Sequence, residues 1–197
     1  MKYLLGTYAL AYVLIVFLGR SYLVWRKTGA RPVTYKKGDT AHDLIGMYFL
    51  GLVFLSLIGI SVYLFLPGLY RFLVPMPWLE NPLLTYVGVG LLWASFLWTV
   101  LAQSQMGESW RIGIDREVHP PLVTEGLFRI SRNPIYLGVR GSSLGLFFAL
   151  PNGLNLVILT LTVVLTAIQV RLEEEHLKVA HGTEYLEYYE KTPRWII

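Results

Sequence analysis

The sequence predicts an all-α, polytopic membrane protein: about five transmembrane helices, the last two folded back as a helical hairpin, then a cytoplasmic C-terminal helical tail. Composition, run length and charge placement lead there. Of 197 residues, 54% are hydrophobic and only 15% charged, where ordinary soluble domains carry about 25% charge. The apolar residues fall in long runs with the basic residues between them. Length permits a single domain, 1–197. The chain has no cysteine, which excludes disulfides, a thiol nucleophile and Cys-ligated zinc or iron–sulfur centres. A net charge of +4 does not mark a nucleic-acid binder, because the cations do not line one face.

Crossing about 30 Å of hydrocarbon takes about 20 apolar residues. Residues 3–25 supply a first span, interrupted late by Arg20. They run into Tyr22, Trp25, Arg26 and Lys27 with no small-residue cleavage site, so the segment reads as a retained helix and not a signal peptide. Residues 44–66 carry no charge at all. Residues 83–102 follow Pro82, which suits a first helical turn because proline has no amide donor to leave unpaired. Residues 136–150 and 154–170 are shorter, and only Pro151-Asn152-Gly153 separates them. They predict an antiparallel hairpin, whether or not it fully crosses the bilayer. Polar residues of functional type gather after Gln103, so 1–102 reads as transmembrane scaffold and 103–197 as the cofactor-binding and catalytic region.

The loops orient the map. Of 17 Lys and Arg, 13 fall in 26–42, in 103–135 and after Val170. The positive-inside rule puts these in the cytoplasm and the N-terminus outside or in a lumen.

Several familiar constellations are missing. Gly88-Val-Gly90 lacks the third glycine of a dinucleotide fingerprint, and there is no phosphate-binding loop. The four histidines lack metal-ligand spacing, so no metal is expected. Gly141-x-x-x-Gly145 reads as a place of close helix approach. Three features carry chemistry. Asn133 and Pro134 are a good N-cap and first helical residue, so a helix should start there with its amide end toward the headgroups. Such an end favours anions, and Arg129 and Arg132 add positive charge; the plainer reading is a cap with lipid-phosphate anchors. Arg140 lies one turn past Tyr136 inside a span, facing a partner or snorkelling to the headgroups. Glu173-Glu174-Glu175 follow the last span at the same membrane face. Charges of both signs meeting there suit a zwitterionic or mixed-charge ligand.

Leu122-Val123-x-x-Gly126-x-Phe128-x-x-x-Arg132-Asn133-Pro134-x-Tyr136, a hydrophobic hairpin, and Glu173-Glu174-x-x-Leu177-x-x-x-His181-Gly182-x-x-Tyr185-x-x-Tyr188 together resemble the isoprenylcysteine carboxyl methyltransferase family. The related phospholipid methyltransferases share this pattern. It spans roughly residues 107–197. The resemblance implies an integral membrane enzyme that moves a methyl group from S-adenosyl-L-methionine to a lipid-attached acceptor entering from the bilayer, leaving S-adenosyl-L-homocysteine. It implies cofactor contacts at Asp115, Pro120, Pro121, Leu122, Val123, Phe128, Arg132, Asn133, Pro134, Ile135, Tyr136 and Glu173. Three positions depart from the family pattern: Asn133 replaces a histidine, His181-Gly182 replaces Phe-Gly, and Gln169, on the acceptor-binding side, replaces an arginine. Arg140 or Arg171 is then the candidate to orient an acceptor carboxylate. With an amine acceptor, as in phospholipid N-methylation, Glu174 becomes the candidate base. A sterol-reductase-like enzyme and a non-catalytic membrane organiser are the rival readings.

The charge map has a direct check. Single cysteines introduced at residue 36 and near the C-terminus of this cysteine-free chain should label from the same, cytoplasmic, side of sealed vesicles. Labelling from opposite sides would overturn the map.

Overall fold

The computed structural model describes residues 1–29, 40–107 and 121–196. Among these, regular structure is helical, apart from one isolated bridge between Pro75 and Asn152. Four helices are long and apolar enough to cross a bilayer: α1 (Lys2–Lys27), α2 (Ala41–Phe65), α3 (Pro82–Met106) and α5 (Gly153–His181). Between the last two lies α4 (Pro134–Ala149), and α6 (Thr183–Lys191) follows α5. The multi-pass membrane character expected from composition holds.

Among the described residues, four of the five expected spans have the length and composition to cross. With 16 residues at 1.5 Å each, α4 is about 24 Å long, short of the roughly 30 Å core. It faces protein on several sides, with Gly138, Ser143, Gly145, Leu146 and Ala149 all buried. A helix packed between neighbours need not match the lipid thickness. Its partner α5 has 29 residues, about 44 Å, so its last turns extend past the apolar stretch and carry Glu173 and Glu174 alongside the start of α4.

Helix starts follow their sequence signals, with one exception. The Asn81 side chain accepts from the Leu83 amide at 2.8 Å, and Thr40 accepts from the Asp43 amide at 3.3 Å. At the hairpin tip, Asn152 accepts from the Asn155 amide at 2.9 Å. Backbone bonds from Met76 to the Pro151 carbonyl (3.0 Å) and from Gly153 to the Val74 carbonyl (2.9 Å) tie that tip to the loop after α2. Asn133 corrects the expectation of a side-chain cap. It occupies the N-cap position of α4 but makes no capping bond. Its Nδ2 donates instead to Glu174 Oε1 at 3.1 Å. Satisfying a buried carboxylate outweighs a cap of about 1 kcal/mol.

α3 and α4 approach closely through small residues. A Cβ on Gly88 would collide with the Ala149 backbone nitrogen and lie 2.7 Å from the Gly145 carbonyl oxygen. Gly138 and Gly141 stand in the same way against Thr99 and Ser95. In lipid, such contact supplies association that the hydrophobic effect does not. Gly88→Ala should therefore cost about 1–3 kcal/mol by overpacking despite alanine's better helix propensity. Gly90, two residues on with open space around it, should accept alanine without loss. Thermal unfolding of both variants in detergent checks this, and equal midpoints would overturn it.

Candidate functional site

The site begins at the end of α3. The Gln105 side chain accepts from the Leu127 amide at 2.8 Å, fixing a one-turn helix (Leu127–Ile130) that starts after Gly126 at φ +63°. Phe128 in that turn is buried. Its carbonyl accepts from the Tyr188 hydroxyl of α6 at 2.6 Å. Burial above all pushes the Tyr188 phenol up from its ordinary value, so it stays a protonated donor. Trp98 of α3 donates from Nε1 to the Pro134 carbonyl at 2.8 Å, pinning the first turn of α4.

Glu174 is the centre of the polar network. Its side chain is 3% exposed. Oε1 accepts from Arg132 Nε and Nη2, both at 3.1 Å, and from Asn133. Oε2 accepts from Arg194 Nε at 3.0 Å and Nη2 at 2.7 Å. Glu174 in turn holds the Arg194 guanidinium further above its already high value. Arg132 also donates to the carbonyls of Tyr189 (2.9 Å) and Thr192, and its guanidinium stacks on the Tyr189 ring at 4.0 Å. Ser131 and Asn133 both donate to the Arg194 carbonyl. One carboxylate thus joins the start of α4, the body of α5 and the segment after α6.

Glu173, the preceding residue, faces a different neighbourhood. Its Oε1 accepts from the Tyr136 hydroxyl at 2.5 Å and from Gln169 Nε2 at 2.9 Å. Gln169 is 3% exposed, and its Oε1 is buried with no partner. Glu175 is exposed. Deeper along α4, Arg140 donates to Thr166 Oγ1 at 2.7 Å and to the Val163 carbonyl at 3.1 Å, and the Trp195 ring lies 3.8 Å from its guanidinium carbon. The Tyr136 ring touches Phe49 of α2, centroids 6.2 Å apart. Phe49 borders a cavity of about 100 Å³ that Leu52, Ile60, Leu92 and Leu146 also line.

The residues singled out in the sequence therefore separate into groups. Tyr136, Gln169 and Glu173 converge. Arg132, Asn133 and Glu174 converge beside them as a closed network, which spends the Arg132 charge on Glu174 instead of leaving it at the helix end. Phe128 is packed beneath α6. Pro134 is fully buried and Ile135 half-buried, while Pro121, Leu122 and Val123 precede Gly126 without regular secondary structure. Arg171 is exposed and donates to the Ala167 carbonyl at 2.6 Å, apart from Glu173. Arg129 is exposed. Asp115 and Pro120 lie outside the described residues. Arg194, Trp195, Ser131, Gln105 and Trp98 escaped notice in the sequence. Arg194 pairs with an acid 20 positions away, and no local spacing announces that.

Comparison with known proteins agrees with this geometry. The phospholipid methyltransferase family model matches residues 83–184, just over half the chain and both walls of the site. Protein-S-isoprenylcysteine O-methyltransferase B of Arabidopsis thaliana is 30% identical over 147 residues, covering 74% of this chain and 71% of that protein. With the Arg132–Tyr136 and Glu173-Glu174 segments folded against each other inside the matched region, the chain belongs to the isoprenylcysteine and phospholipid methyltransferase family.

Proposed function

We propose that the protein transfers a methyl group from S-adenosyl-L-methionine to a lipid-attached acceptor, the carboxylate of a prenylcysteine or a similar lipidic acid. The observation that carries this is the orphaned acceptor beside Glu173. A carboxylate and a buried amide oxygen sit together at the α4–α5 seam with no cation between them. A buried acceptor left unpaired costs about 1–3 kcal/mol, and an ammonium group satisfies both at once. The cofactor's amino-acid end brings that ammonium.

When bound, S-adenosyl-L-methionine would supply a sulfonium methyl, whose carbon bonds to the acceptor oxygen in line as its bond to sulfur breaks, with S-adenosyl-L-homocysteine as the leaving group. This chain's residues do the rest by binding and alignment. Glu173 and Gln169 hold the ammonium, and Tyr136 fixes the Glu173 rotamer through its hydroxyl. The positive dipole end of α4, at its first turn, suits the anionic end of the cofactor. Pro121, Leu122, Val123, Phe128, Asn133, Pro134 and Ile135 wall it in, and the family resemblance adds Asp115 and Pro120 as further cofactor contacts. Arg132 serves through the Glu174 network. Arg140 orients the acceptor oxyanion, with Arg171 adding charge from outside. The cavity below Phe49 offers apolar walls to the acceptor's tail. Positioning in a site closed to water contributes several kcal/mol to such a displacement.

An acceptor that is already ionised is favoured over an amine. An amine needs a base, and Glu174 has both oxygens engaged by two guanidiniums and an amide. A carboxylate needs none. The basic loops support a site at the cytoplasmic face, where a water-soluble cofactor and a lipid-borne acceptor would each arrive from their own phase.

The three adjacent glutamates test the reading. Glu173→Gln should weaken S-adenosyl-L-homocysteine binding by about 1.5–3 kcal/mol, as expected for losing a charged hydrogen bond, with the fold intact. Glu175→Gln should change binding little. Glu174→Gln should instead lower stability by about 3 kcal/mol, because the buried Arg132 and the half-buried Arg194 guanidiniums lose their counter-charge. Calorimetric binding and thermal unfolding of the three variants separate these outcomes. Equal, small effects at Glu173 and Glu175 would overturn the cofactor assignment, as would wild-type protein that is folded and yet shows no ligand-dependent thermal shift.

A further inference from the structure

Arg140 carries a charge that no opposite charge balances among the described residues. It lies six residues past the start of α4, about 9 Å along the helix. Among the described residues, no carboxylate lies within ion-pair distance of it, and the one charge that reaches it is the like charge of Arg171. Its Nε–Nη2 edge is fixed on α5 by Thr166 and Val163. One face is covered by the Trp195 indole. Nη1 makes no bond. A guanidinium held on one edge and one face, with a free N–H pair and no counter-ion, is a seat for an oxyanion.

The geometry points to Trp195 as the positioning residue of this seat: by stacking on Arg140 it holds Nη1 toward the oxyanion of the lipid-borne acceptor, a carboxylate or a phosphate. Trp195 lies outside the 83–184 stretch that the family model covers. Its place is set by its neighbour, because Arg194 is bound to Glu174 through two nitrogens and to Ser131 and Asn133 through its carbonyl. Removing the indole leaves Arg140 tethered by one edge and opens its face to water, so the loss should fall on recognition of charge and not on the fold.

The inference rests on the methyltransferase reading, and the test keeps the two apart. Wild type, Trp195→Ala, Trp195→Phe and Arg140→Gln are compared for equilibrium binding of N-acetyl-S-farnesylcysteine and of its uncharged carboxamide, and for affinity toward S-adenosyl-L-homocysteine. Wild type should prefer the carboxylate by about tenfold, the worth of one charged hydrogen bond. Arg140→Gln should erase that preference. Trp195→Ala should reduce it about threefold or more, the scale of a cation–π contact, and Trp195→Phe should restore most of it. S-Adenosyl-L-homocysteine affinity should stay constant throughout. A second arm measures the KM for phosphatidylethanolamine. A rise in Trp195→Ala and Arg140→Gln, with no carboxylate preference in wild type, identifies the oxyanion as the lipid phosphate. Charge preference unaltered in Trp195→Ala, cofactor affinity falling in parallel with acceptor affinity, or no oxyanion dependence in either arm overturns the proposal. Wild type that binds no S-adenosyl-L-homocysteine overturns the methyltransferase reading instead.

Discussion

The polar end of the molecule depends on burying one carboxylate. Glu174 is taken out of water at a cost that only several donors repay. Arg132, Asn133 and Arg194 provide them from α4's threshold and from the segment after α6. Arg132 and Asn133 are neighbours in sequence, but Arg194 lies 61 residues beyond Asn133 and joins them at this carboxylate. Breaking this contact would free the start of α4, release residues 192–195 and remove the support behind Tyr136. The arrangement also explains why adjacent glutamates take different tasks. Successive residues on a helix point about 100° apart, so Glu174 turns into the network while Glu173 turns toward Tyr136 and Gln169.

What was legible in the sequence follows from which forces act locally. Long apolar runs, Pro82, Pro134 and the Pro151-Asn152-Gly153 turn give the helices within a few residues, because backbone satisfaction in lipid leaves few alternatives. The pairing of residues 132–136 with 173–174 was readable because a short hairpin returns both segments to one face. Asn133 was placed correctly and its partner was not. A capping side chain answers to the nearest amides until a buried charge competes for it, and that competition is tertiary. The shortness of α4 was legible, but the groove it packs into was hidden for the same reason. Its 16 residues are short for lipid but suited to a groove lined by Thr99, Ser95 and Gly88, which lie on a different helix. Arg194 and Trp195 had no periodic or motif signal at all.

The two sides of the site are mechanically joined. In the proposed reading the unpaired oxygen of Gln169 and the open edge of Arg140 would receive ligands of opposite charge, and both rest on α5, one turn apart (Thr166 and Gln169). A sulfonium cofactor and an anionic acceptor attract each other, so a site that presents the acid to one and the base to the other also keeps them in order. Alignment then comes from a single helix and needs little loop movement among the described residues.

The tethered hairpin tip bears on where the site sits in depth. Met76 and Gly153 bind the turn by backbone bonds that do not depend on side-chain chemistry short of proline, and from that anchor α4 reaches back about 24 Å. The distance from the far-side anchor to Tyr136 is therefore a fixed rod, whatever the thickness of the surrounding membrane. In a thin bilayer the start of α4 reaches the headgroups. In a thick one it lies beneath them, and the bilayer has to thin around it or the bundle tilt, at a fraction of a kcal/mol per Å of mismatch. Bilayer thickness thereby becomes a variable that sets how far a water-soluble ligand must descend to reach Glu173.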